Sequence, residues 1–144
     1  MYNDMNVRFG YEASHVMDVI DACGELLLKN SLISNEYIDS MKHTLEKFGP
    51  YMVLIKDVAL FHGVPGVGVL DDGICLVHLQ NRIELDQSNK SIKLAFAFCS
   101  KDGKTHMEII KDFAIMLMDQ DVIAKLINAE TKDELLILLN GGTK

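Results

Sequence analysis

The sequence predicts an α/β fold: a single-domain layered sandwich with a mixed β-sheet of about five strands, flanked by helices on both faces. Three observations carry that expectation. Apolar residues recur at helical spacing at both ends of the chain, short apolar runs bounded by turn residues fill its middle, and some of those runs are close enough for hairpins. With 144 residues, 49% of them apolar, the chain can bury roughly 70% of its unfolded surface in one core. One domain over 1–144 is expected, with its core at about 14–140 and residues 1–10 as a loose leader.

From Ser14 to Lys29, the positions Val16, Val19, Ile20, Cys23, Leu26 and Leu27 fall three and four apart and form one face of a helix. Ser34 offers an N-cap for a second helix, in which Tyr37, Ile38, Met41, Leu45 and Phe48 repeat at the same spacing until Gly49 and Pro50 stop it. Short apolar runs follow at YMVLI, VALF, ICLVHL (74–79) and IKLAFAF (92–98), and these read as mostly buried strands. Turn residues separate them: Gly63 to Gly68, Asp71-Asp72-Gly73, Asp86-Gln87-Ser88-Asn89 and Lys101-Asp102-Gly103. Beyond Gly103 the pattern is helical. Thr105 with Glu108, and Thr131 with Glu134, have capping-box spacing, a short helix from about Asp121 to Asn128 lies between them, and Gly141-Gly142 ends the last helix.

Composition excludes several classes of function. A formal charge of −7 and only two arginines, Arg8 and Arg82, do not supply the basic stripe that nucleic-acid binding needs. No apolar run approaches the ~20 residues of a membrane span, and the first residues have no signal-peptide pattern, so a cytoplasmic location is expected. Cys23, Cys75 and Cys99 are odd in number, lack CxxC spacing and sit in apolar segments, as reduced core thiols do. A serine nucleophile motif, an HExxH zinc motif and the Gly-Lys-Ser/Thr ending of a phosphate-binding loop are all missing.

Five histidines remain to be weighed. His15 and His43 read as surface residues on helices, and His78 as a strand residue that either points away from the core or titrates as an incidental switch. His62 differs, because it directly follows a buried strand and precedes a glycine loop, where α/β domains place chemistry. His106 is read as the first residue of a capped helix, where free backbone amides favour an anion and keep the ring neutral. If the fold joins the two, the site holds a nucleophilic imidazole and a second neutral one, an arrangement suited to a phosphoryl group. A histidine-based zinc site formed by His62, His78 and His106 is the competing reading.

The stretch Gly49-Pro50-Tyr51-Met52-Val53-Leu54-Ile55, then Val58-Ala59-Leu60, then His62-Gly63-Val64-Pro65-Gly66-Val67-Gly68-Val69, resembles the enzyme IIA components of the bacterial sugar phosphotransferase system. The likeness is to the mannitol, fructose and ascorbate branch, nearest the ascorbate type. It continues through Asp102 to Glu108, Leu117-Met118-Asp119 and Ala129 to Leu136, covering about 14–140. The resemblance implies that His62 accepts a phosphoryl group from the general carrier HPr and passes it to a cysteine of enzyme IIB. It implies that His106 orients or stabilises that group, and that no metal or cofactor is required. A regulatory module that senses phosphorylation and binds a partner protein is the alternative. Two positions depart from the pattern: Phe61 stands where the family usually has proline, and Val64 where the ascorbate-type loop usually has arginine. Lys47, Lys56 and Arg82 are the candidate replacements for that cation. Phe61, Val64 and Val67 could form an apolar collar for docking.

Overall fold

The computed structural model describes residues 2–85 and 88–142. A five-stranded sheet in the order β1-β4-β5-β3-β2 separates two helical layers. Its strands are β1 (Val7–Tyr11), β2 (Val53–Ile55), β3 (Asp57–Phe61), β4 (Gly73–Glu84) and β5 (Ser91–Cys99). The central pair β4 and β5 is antiparallel, while β1 on β4 and β3 on β5 run parallel, so the sheet is mixed as expected. Of the turn expected at Asp86-Gln87-Ser88-Asn89, the first two residues lie outside the described residues.

Side-chain alternation along the strands explains why both faces need cover. Ala59, Phe61, Cys75, Val77, Ala95 and Ala97 point to one core, packed beneath α1 (Val16–Lys29) and α2 (Asn35–Phe48). Val58, Leu60, Leu76, Leu94, Phe96 and Phe98 point to the other. That second core is closed by α3 (Gly103–Leu117), α4 (Gln120–Ile127) and α5 (Lys132–Leu139). A strand with two buried faces has no polar alternation, which is why β3 from Val58 and β5 from Leu94 appear in the sequence as continuous apolar runs. All three cysteines are buried and free. Among the described residues, no helix is long and apolar enough to cross a membrane.

The N-terminal segment is not a loose leader. Val7 lies opposite Leu76 in the parallel β1–β4 ladder, and Tyr2 is buried with its ring edge-on to Phe96, 6.2 Å between centroids. Only Val7 and Phe9 alternate as apolar residues there, too short a pattern to read from sequence. Helix starts also shift slightly. His15 caps α1, which begins at Val16 and not at Ser14, by accepting a hydrogen bond from the Met17 amide, and Asp18 reaches back to the His15 amide. Ser34 occupies the N-cap position of α2 without a side-chain cap bond. Thr131 caps α5 through the Glu134 amide, as its spacing suggested.

Asp57 sets the end of the sheet away from the candidate site. It is buried at the tight β2–β3 turn with φ +70°, a backbone region that Asp tolerates better than most residues. One carboxylate oxygen accepts from Ser91 Oγ at 2.6 Å and the other from Arg82 Nε at 3.0 Å. Arg82 itself is about half exposed, so the ion pair adds little and most of the anchoring comes from the serine bond and the turn. Asp57→Ala should therefore lower unfolding free energy by about 2–4 kcal/mol in urea titrations, with Asp57→Asn losing about half as much.

Candidate functional site

In the parallel ladder, Leu60 lies opposite Phe96 and Phe61 opposite Ala97. One residue further, His62 leaves β3 beside Phe98. Alternation carries its side chain to the same face as Val58 and Leu60, the face that α3 covers. From β5 the chain turns through Ser100, Lys101 and Asp102 into α3, which brings His106 back over the same spot. The His62 and His106 ring centroids are 4.8 Å apart, with the planes at 85°. Phe98, fully buried, floors both: its ring is 5.3 Å from His62 and 5.0 Å from His106. The two histidines singled out from the sequence thus meet at the C-terminal ends of two parallel strands, the usual site of chemistry in open α/β sheets.

Burial decides how these rings behave. Nδ1 of His62 and Nδ1 of His106 are both enclosed without a hydrogen-bond partner. Desolvation, helped by the neighbouring His106, pushes His62 down to about 4, although the Gly63 backbone offsets part of that shift. Desolvation also lowers His106. Each ring is therefore neutral near pH 7. A neutral imidazole keeps a nucleophilic nitrogen lone pair, and its neighbour can offer an N–H to an anionic group, so the pair can receive and hold a phosphoryl group.

His106 differs from its sequence reading in one respect. Asp102, not Thr105, is the N-cap of α3 and accepts from the Thr105 amide at 2.8 Å. His106 is accordingly the fourth residue of the helix, and its own amide already donates to the Asp102 carbonyl at 3.2 Å. An Asp followed by Gly-Lys-Thr caps as well as a Thr three residues later, and the spacing alone could not separate them. The ring is kept neutral by burial rather than by a position on the first free amides.

The glycine loop is held by α2 and is not left open. Tyr37 Oη accepts from the Gly63 amide and donates to the Phe98 carbonyl, both at 2.8 Å. Ser40 Oγ, one turn on, accepts from the Val64 amide at 2.8 Å. A Cβ on Gly63 would stand 2.6 Å from Ser40 Oγ, and one on Gly68, at φ +73°, would stand 2.7 Å from the Tyr37 nitrogen. These glycines let the loop lie against α2. Tyr37 and Ser40 were missed by sequence reasoning because Tyr37 looked like an ordinary member of an apolar stripe. The available signal was that a buried tyrosine hydroxyl needs a partner.

The remaining candidates separate from the site. His15 and His43 are exposed. His78 does not point away from the core: it is buried, stacked on Phe9 at 4.6 Å between centroids, with Nε2 3.1 Å from the Leu126 carbonyl. Its strand face is the one α4 covers, so an imidazole there satisfies a helix-end carbonyl. Among the described residues, no three His, Cys, Asp or Glu gather as a metal would require. Arg82 is engaged by Asp57, at the opposite end of β3 from His62, and Lys56 immediately precedes that end. Lys47 lies with its ammonium 5.4 Å from the Phe48 ring. Phe61 is fully buried in the core beneath α1 and α2, so only Val64 and Val67 of the expected collar are exposed.

Comparison with known proteins bears on the family and the fold. The family model described as phosphoenolpyruvate-dependent sugar phosphotransferase system, EIIA 2, matches residues 1–141. The mannitol-specific cryptic phosphotransferase enzyme IIA component of Escherichia coli (strain K12) is 26% identical over 141 residues, covering 98% of this chain and 96% of that protein. The ascorbate-specific PTS system EIIA component of the same strain is also 26% identical, over 137 residues, covering 94% and 89%. The fold matches that in the solved complex of enzyme IIA mannitol with phosphorylated enzyme IIB mannitol from Escherichia coli. There the TM-score is 0.84 at 23% identity over 98% of both chains. With its family model matched over nearly the whole length, this chain belongs to the EIIA type-2 family of the phosphoenolpyruvate-dependent sugar phosphotransferase system.

Proposed function

We propose that this protein is a phosphocarrier in which His62 Nε2 accepts a phosphoryl group from the phosphohistidine of HPr and passes it to a cysteine of enzyme IIB. The observation that carries the reading is the edge-on meeting of the His62 and His106 rings, 4.8 Å between centroids, at the C-terminal ends of β3 and β5. Nδ1 of His62 is enclosed, which leaves Nε2 as the nitrogen that a partner protein can approach. In the first transfer the donor P–N bond breaks as a new P–N bond forms at Nε2. In the second, that bond breaks as a P–S bond forms on the partner cysteine.

Such transfers between high-energy linkages need little driving force, so the protein supplies alignment and charge stabilisation for a loose transition state. His106 is the stabilising group in this scheme, donating an N–H to a phosphoryl oxygen from a neutral ring. Docking uses the exposed Val64 and Val67 of the loop together with Met107, half exposed on α3 beside His106. Enzyme IIB as acceptor is supported by the solved complex of a IIA relative with its phosphorylated IIB. The setting is the cytoplasm, where HPr and the IIB domain meet.

Incubation with phosphoenolpyruvate, enzyme I and HPr should add one acid-labile phosphate, and His62→Ala should abolish it; an unlabelled wild type would refute the proposal. His106→Ala should still accept label, about 10- to 100-fold more slowly in single-turnover assays, because it removes one charge-stabilising donor. The lowered pKa of His62, about 4, fixes the sign of the pH dependence. Its nucleophilic neutral form dominates above that value, so the labelling rate measured with phospho-HPr in excess should stay flat from pH 8 to about pH 5 and drop only below it. A midpoint near 6.5, the ordinary histidine value, would show that the acceptor ring is not desolvated.

A further inference from the structure

We propose that Tyr37 is a positioning residue for this site, its hydroxyl tying the ends of β3 and β5 together so that the His62 ring stays edge-on to His106. As a role in phosphoryl transfer, this rests on the function proposed above; as a claim about the geometry of His62, it does not.

The Tyr37 side chain is fully buried, and its hydroxyl bridges backbone groups 26 and 61 residues away in sequence. It accepts from the Gly63 amide and donates to the Phe98 carbonyl, using its single hydrogen and one lone pair. Burial raises the phenol well above its usual range, so the hydroxyl keeps that hydrogen at any working pH. Both bonded groups belong to peptides that adjoin the site. The Gly63 N–H is part of the peptide carrying the His62 carbonyl, so fixing it fixes the backbone rotation that aims the His62 ring. The Phe98 C=O belongs to the residue whose ring floors both histidines.

The neighbouring bond to α2 serves a different amide. Ser40, one turn along α2, takes the next amide, that of Val64. The Gly63 Cα lies so close to α2 that a Cβ there would meet the Tyr37 ring at 3.0 Å. With the hydroxyl removed, a buried N–H and a buried C=O would both lack partners, and the strand ends would have to move to find new ones. Displacements of about 1 Å at a transfer site cost on the order of 100-fold in rate.

The test is Tyr37→Phe in the full chain, with Asp57→Asn as a control that loosens the opposite end of β3. NMR titration should show the His62 midpoint, about 4 in the wild type, rising by at least about one unit in Tyr37→Phe as the ring gains solvent. The control should leave it in place. Single-turnover labelling by phospho-HPr should slow about 10- to 100-fold in Tyr37→Phe, with the half-saturating donor concentration unchanged. A wild-type midpoint and rate in Tyr37→Phe, or the same shifts in Asp57→Asn, would overturn the assignment. An unlabelled wild type would sink the phosphocarrier reading alone, since the titration still decides the role of Tyr37. Should Tyr37→Phe not fold, amide exchange of the wild type decides. The Gly63 amide should be protected as strongly as those of β5, and free exchange would overturn the bridge.

Discussion

Phe61 pairs with Ala97 in the parallel β3–β5 ladder, and the next residue of each strand, His62 and Phe98, emerges at the same height on the same face. Everything at the site follows from that register. A slip by one residue would turn His62 toward α1 and α2, into a core already filled by Phe61 and its neighbours. The buried aromatic ring of Phe98 then gives α3 a surface to return to, and His106 meets His62 across it. A hydrophobic constraint, a sheet with two filled faces, thereby places two polar rings together.

Burial does two jobs at this point. It closes Nδ1 of both rings away from water, and it disfavours the protonated form of each ring. A solvent-exposed histidine would spend a larger share of its time protonated at slightly acid pH. The cost of holding such groups without hydrogen-bond partners is met by the rest of the domain, whose strands are anchored at the far end by Asp57 with Ser91 and Arg82. The two ends of β3 thus have different tasks: one fixes the strand, the other presents the imidazole.

The absence of an arginine from the loop changes the electrostatics expected of the family. Val64 stands exposed where the ascorbate-type loop usually has a cation, and Arg82 is committed to Asp57 at the other end of the strand. Phe61, in place of the usual proline, fills the core beneath α1 and α2, so its contribution is packing and not a rigid approach to His62. In this chain the stiffness of the approach comes instead from α2, through the Tyr37 and Ser40 hydroxyls on the Gly63 and Val64 amides.

Much of this was legible in the sequence. The α/β class, the mixed sheet, the long helices and the candidacy of His62 and His106 follow from local patterns: apolar periodicity, turn residues and a histidine at a strand end. Those patterns are set by neighbours within about ten residues, so the sequence displays them directly. The β1 strand escaped because its pairing with β4 is parallel and nonlocal, and Asp102 displaced Thr105 as the α3 cap because both satisfy the same local rule. Tertiary structure alone decided the rest. That the rings of His62 and His106, 44 positions apart, come into contact, that His78 is buried against α4, and that the Tyr37 hydroxyl spans two strands depend on strand order and register. Those are chosen by the packing of the whole chain and leave no trace in any short stretch of it.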